Sequence, residues 1–352
     1  VTEHASHTGE HYIADSKKAW LGMFKSAAGA GLIIGFMALL KIEIAKAHLP
    51  PLIEALAFGL NYGIGFVIIH LLHCTIATKQ PAMTAATIAA TLPPAGSRSA
   101  EGYQSLVELI VQVIRTQWIA IVGNVSLTLP TALLLGWLWS WQTGSPLIDH
   151  GKVEQLLEDL RPIAGYGMAH AAIAGIWLFV AGLISGYYDN KSLYHHIPER
   201  IAAHPWFNRL IGEHYSRRLG RYVEHNLGAL AGNFYFGLML GLTGFAGFLL
   251  GLPLDIRHIT FSSAYLSFAT VASDFSLSWQ AWLGGLAGVA LIGATNLIVS
   301  FSLALWTAMR SRQRQLADLR PLPALLLKRL LARPRDFVLP PPEVESEIKD
   351  AP

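Results

Sequence analysis

Of the 352 residues, 53% are apolar and only 14% are charged, whereas a water-soluble domain carries roughly 25% charged residues. The mean hydropathy of +0.41 points the same way, and the apolar residues fall in blocks, so an ordinary soluble enzyme is excluded. A net charge of +3 is small, and the placement of the basic residues says more than their sum.

In chain order, residues 1–19 form a polar amino-terminal segment. Val1 stands where a Met would open a chain, which reads as the start of a fragment or processed product, with no secretory signal ahead of it. A helix needs roughly 20 mainly apolar residues to cross the hydrocarbon core. Segments 20–40, 52–73, 117–141, 166–186 and 228–250 qualify, and 281–308 is long enough to need tilt. Lys25 and Glu54 are the only charges in these windows, each near an end. Trp118 and the trio Trp137, Trp139 and Trp141 bracket the third span, and Trp282 and Trp306 the sixth, as indole rings at headgroup level do. Pro130 is expected to kink the third span. Segment 257–277 is only moderately apolar, with Thr260, Ser262, Ser263, Ser267, Thr270, Ser273 and Asp274. It reads as a short re-entrant element on the outer side, which must be shielded by protein. The tail, 309–352, is basic; its leucines with Lys328, Arg329 and Arg333 suggest a helix on the anionic inner leaflet. The run Pro340, Pro341, Pro342 and the acidic end read as disordered.

Lys and Arg favour cytoplasmic loops. With the amino terminus inside and six crossings, 21 of the 26 basic residues lie inside; only Lys41, Lys46, Lys152, Arg161 and Arg257 lie outside. Both termini are therefore expected in the cytoplasm and the protein in a bacterial inner membrane.

Gly9-Glu10-His11-Tyr12 recurs as Gly212-Glu213-His214-Tyr215, and the offset of 203 gives 12 identities over positions 9–62. This suggests a parallel duplication with halves starting near 9 and 212, pairing the first span with the fifth and the second with 255–277. The charge count opposes a full crossing by 255–277 and is given precedence. Cys74 is alone, so no disulfide or multi-cysteine metal site can form within the chain.

Inside the spans, Gly31 and Gly35, Gly59 and Gly63, Gly237 and Gly241, and Gly284 and Gly288 have the spacing that lets helices approach closely. Asn61, Asn124, Asn233 and Asn296 read first as hydrogen-bonding glue between helices, and second as part of a solute or ion path. His7, Glu10 and His11 have the H-x-x-E-H spacing of some zinc hydrolases, although the second copy of the motif lacks a match for His7. Zinc is thus the one cofactor the residues admit, and a structural role at the membrane edge is the preferred reading. Lys79, Gln80, Asp189, Asn190, His195, Glu213, His214 and Tyr215 would all face the cytoplasm and could form one polar site, with caps and interfacial hydrogen bonds as the plainer account. Membrane lipid is the partner the composition demands. A small solute and a homo-oligomer are open, and nucleic acid is disfavoured, since the basic residues of the 187–227 loop are ordinary for topology.

The stretches Ser6 to Ile13, Ala77 to Ala85 (ATKQPAMTA), Asn226 to Gly237 (NLGALAGNFYFG) and Gly251 to Thr260 (GLPLDIRHIT) resemble the membrane half of a bacterial family labelled site-specific recombinase. The resemblance covers most of residues 1–310. It implies a multi-span inner-membrane protein preceded by a soluble helical region, and the label implies DNA strand exchange. Tyr215, beside His214, Arg217 and Arg218, is the best-placed nucleophile for that chemistry, but its first copy, Tyr12, has no neighbouring arginines. The expectation is an all-α polytopic bundle of about six spans with a re-entrant segment, binding or moving a solute at the repeat interface. A metal-dependent membrane hydrolase and a recombination-associated protein are the alternatives.

Overall fold

The computed structural model describes residues 15–77, 81–92, 100–161 and 165–340. Among these the chain is helical throughout, in the order α1 (Lys17–Lys46), α2 (Pro51–Leu71), α3 (Pro81–Ala90), α4 (Ala100–Thr143), α5 (His150–Asp159), α6 (Gly167–Tyr194), α7 (Ile197–Ala203), α8 (Pro205–Ile211), α9 (Glu213–Leu250), α10 (Ile259–Ala272), α11 (Trp279–Ser311) and α12 (Leu322–Ala332). Helices α1, α2, α4, α6, α9 and α11 are long and apolar enough to cross a membrane. Local chemistry marks their ends: the Ser16 and Ser278 hydroxyls accept from the first-turn amides of α1 and α11, Pro51 opens α2, and left-handed Gly251 closes α9.

Helix α10 has 14 residues, about 21 Å at 1.5 Å per residue, too short to cross, and every one of them is buried. The re-entrant reading of 257–277 therefore holds. The stretch after α2 leads into a second short helix, α3; its Lys79 and Gln80 lie outside the described residues. Where α10 packs on α4, α3 packs on α11.

These paired contacts reveal an inverted repeat. Helices α1, α2, α3 and α4 form one half, and α6, α9, α10 and α11 the other; each is span, span, short helix, span. Three crossings per half put the second half upside down relative to the first. In the first half the Asn124 side chain donates to Ala27 O (2.7 Å) and Thr75 O (2.9 Å) and accepts from Ala77 N (2.8 Å). In the second, Asn296 donates to Ala171 O (2.8 Å) and Arg257 O (2.9 Å) and accepts from Ile259 N (3.2 Å). Thr75 N bonds Ser26 O, and Arg257 N bonds His170 O, each at 3.2 Å. The sequence carries the same relation, at an offset of 182 in the second span of each half and of 144 in the first: Leu56, Gly59, Leu60, Gly65, Phe66 and Leu72 match Leu238, Gly241, Leu242, Gly247, Phe248 and Leu254, and Ala27-Ala28-x-Ala30-Gly31 matches Ala171-Ala172-x-Ala174-Gly175.

The duplication read from the Gly-Glu-His-Tyr motif, parallel and at an offset of 203, is thus not the one the packing displays. It pairs α2 with α10, and a short helix enclosed on every side cannot take the place of a 21-residue span. The first copy of that motif lies outside the described residues.

Apolar helices gain little from burial against one another in lipid, so close packing and hydrogen bonds must hold them. The two halves meet along α2 and α9 backbone to backbone. A Cβ added to Gly241 would come within 2.2 Å of Gly59 N, and one on Gly237 within 2.1 Å of Gly63 N. Gly31 and Gly35 receive α4, and Gly288 receives the Leu160 carbonyl, but Gly284, expected to share that interface, has nothing within 4 Å.

The tail packs onto the bundle at the end where α11 finishes. Leu322 and Phe337 join a buried cluster with Ile88, Leu106 and Met309. Trp20 Nε1 donates to Val338 O (3.3 Å), and Arg115 to Asp336 O (3.3 Å). Leu325, Leu327, Leu330 and Leu331 of α12 stay exposed, as a helix lying on lipid requires.

Candidate functional site

Both short helices start at one level. Ala77, four residues before α3, bonds Asn124 Oδ1, and the same oxygen lies 3.3 Å from the hydroxyl of Thr260, in the first turn of α10. From there α10 runs along α4 until Phe268 and Val271 lie over Gly136. In the other direction, α3 runs to the end of α11, where Ile88 and Leu92 meet Ala308 and Met309. The two short helices thus point away from a shared centre midway along α4 and α11, toward opposite faces. Backbone of this kind, neither helix nor sheet, is tolerated at membrane depth only when protein satisfies it. Asn124 and Asn296 do so.

On the face from which α10 enters lies a cavity of about 670 Å³, between α1, α2, α9, the 251–258 loop and α10. The amphipathic α5, which belongs to neither repeat, forms one wall: Val153 and Leu156 point into the bundle, while Lys152, Gln155 and Asp159 line the cavity. Asp149 caps α5, accepting from Lys152 N at 2.7 Å.

Of the five basic residues expected on this face, four line the cavity: Lys41, Lys46, Lys152 and Arg257. Their surroundings differ. Arg257 bridges Asp159 and Asp255 at 2.5 Å each. Lys46 pairs with Glu43 at 2.6 Å and lies over Trp139, 4.6 Å from the ring centroid. Lys41 has no carboxylate within 4 Å; its ammonium stands among Phe58, Tyr62 and Tyr265, 5.4, 5.9 and 5.4 Å from their centroids. The hydroxyls of Tyr62 and Tyr265 are buried beside one another and Lys41, and neither meets full hydrogen-bond geometry with a partner. Desolvation at the wall, reinforced by the charge of Lys41, holds the Lys152 ammonium below its usual range.

The residues expected from sequence to carry function are scattered. His7, Glu10 and His11, like Lys79 and Gln80, lie outside the described residues; among those described, no cluster of three metal-ligating side chains occurs. Asp189 accepts from Gly228 N (2.9 Å), joining α6 to α9, and Asn190 is half-buried in the same turn of α6. His195 is exposed at the end of α6, and Glu213, His214 and Tyr215 are exposed at the start of α9. Glu213 pairs with Arg217 at 3.3 Å, and Tyr215 is 60% exposed beside the His214 ring. Asn61 donates to Met37 O (2.9 Å), and Asn233 is buried in α9. Sequence reasoning missed Lys41, Lys152 and Tyr265. The available signal was that four of the five basic residues breaking the charge bias belong to one place.

The description Site-specific recombinase belongs to a family model that matches residues 1–340. No curated protein and no solved structure matches the chain.

Proposed function

The chain belongs to the site-specific recombinase family, and from its inverted architecture we propose that it binds small solutes and conducts them across the bacterial cytoplasmic membrane between its two halves. The observation that carries this reading is the pair of short helices meeting at Asn124 and Asn296. Interrupting two spans at one depth gains nothing for stability over two through-going helices. Inverted repeats with such interruptions build solute sites near the midplane of transporters, with the pseudo-two-fold axis between the halves. The cavity on the face from which α10 enters is the entrance this reading assigns.

The family's description implies DNA strand exchange, which requires a nucleophile enclosed by phosphate-holding arginines. Tyr215 is open to solvent and Arg217 is engaged by Glu213, so the geometry favours the solute reading.

The charge bias supports a tail face in the cytoplasm and a cavity on the periplasmic side. Arg218→Cys should then be labelled by a membrane-impermeant maleimide only from the cytoplasmic face, and Glu154→Cys only from the other; the opposite pattern would overturn the orientation.

Conduction is tested at Gly244, which lines the cavity and has nothing within 4 Å of an added Cβ. In a Cys74→Ala background, proteoliposomes carrying Gly244→Cys should swell in stopped-flow light scattering with at least one of a series of polyols, amino acids and monocarboxylates. A bulky thiol reagent should abolish that swelling and leave Cys74→Ala unaffected. No swelling above empty liposomes, or swelling indifferent to the reagent, refutes conduction through the cavity.

A further inference from the structure

We propose that the cavity at Lys41 is a binding site for the carboxylate of a small organic anion. The inference deepens the solute reading by naming a class of ligand, and it rests on that reading only for its physiological meaning.

The cavity's charges largely answer one another. Asp159 and Asp255 hold Arg257, Glu43 holds Lys46, and Asp149 caps α5. Glu54, in the first turn of α2, also lines the cavity. Two lysines have no carboxylate partner: Lys152 donates to the Gln155 amide oxygen at 3.0 Å, whereas Lys41 is a half-buried ammonium with aromatic rings about it and no carboxylate within 4 Å. Ring faces stabilise a cation by electrostatic attraction but accept no strong hydrogen bond from it, so apart from its interaction with the neighbouring Tyr62 hydroxyl its donors are left for a ligand. The Tyr265 hydroxyl, on a side chain 91% buried and lining the same cavity, meets full hydrogen-bond geometry with no partner. An ammonium and a phenol side by side can together donate to the two oxygens of a carboxylate, the stronger of the two bonds being charge-assisted.

The walls set the rest of the ligand. Ile42, Phe58, Leu147 and Leu156 line the cavity beside these donors. A hydrated inorganic ion gains nothing from such surfaces, whereas a short carbon skeleton does, and sites for small organic molecules combine apolar walls with a few placed polar groups.

The test is isothermal titration of the purified protein with sodium lactate, with lactamide as the uncharged isostere and sodium chloride as the inorganic anion. Wild type should bind lactate saturably and ignore lactamide and chloride. Lys41→Met should weaken lactate by roughly 10- to 100-fold, the worth of a hydrogen bond to a charged group. Lys41→Arg should stay within about fivefold and Lys46→Met within about twofold, since guanidinium keeps the charge-assisted bond and Lys46 is already paired with Glu43. No saturable lactate binding by wild type, equal binding of lactamide, or undiminished binding by a Lys41→Met protein with unchanged melting temperature would each overturn the proposal. Lactate binding without any reagent-sensitive flux would count against conduction alone; flux of neutral solutes without lactate binding would count against this site alone.

Discussion

Replacing Asn124 by leucine is expected to destabilise the protein by about 3–6 kcal/mol, and replacing Asn296 to cost the same within about 1 kcal/mol. Each substitution orphans two buried carbonyls and one amide of a chain segment entering a short helix, and a buried polar group left unpaired costs roughly 1–3 kcal/mol. No water at this depth can substitute. Asn61→Leu is the control, because it forfeits a single bond to Met37 O and should cost about 1 kcal/mol. Unfolding in mixed micelles with increasing dodecyl sulfate, followed by tryptophan emission, reads all three. If Asn124→Leu proves no worse than Asn61→Leu, the two asparagines are not the pins that hold the repeat together.

The second large effect falls on glycines. In Gly288→Ala the new Cβ would sit 1.7 Å from Leu160 O, and in Gly237→Ala 2.1 Å from Gly63 N. Both obstacles are backbone, so whole helices must part, with an expected loss of about 3 kcal/mol or more in the same assay. Gly284→Ala meets nothing within 4 Å and should instead gain up to about 1 kcal/mol from the better helix propensity of alanine. Positions 284 and 288 look alike in sequence, so a reversed order of their effects would contradict the packing of α11.

Much of this fold is legible without coordinates. Crossing a membrane forces long apolar runs, and those six runs are the six long helices. The re-entrant nature of α10 is legible too, from its hydroxyl-rich composition and from the charge balance that a seventh crossing would upset. Helix α3 escapes because ten residues of small and apolar type between polar stretches carry no length signal. The inverted repeat escapes for a different reason. Its halves meet opposite faces, so their connections diverge, and what persists is spacing within spans, such as the glycines at 59 and 241, where one helix touches its counterpart. A four-residue identity at an unrelated offset is louder to the eye. The cavity is legible only as an anomaly, since Lys41 and Lys46 of α1, Lys152 of α5 and Arg257 of the 251–258 loop come from three separate elements and converge only once the halves are assembled.

The bond from Trp20 to Val338 joins residues 318 positions apart. The partners of Asn124 among the backbone groups it pins, Ala27, Thr75 and Ala77, all precede it in the chain, so the first half can lock as soon as α4 leaves the ribosome. The beginning of α1, by contrast, waits until Val338 has been synthesised before that bond can form. A chain cut between Ser311 and Val338 would therefore hold all six long helices and yet leave the Trp20 indole N–H without its acceptor.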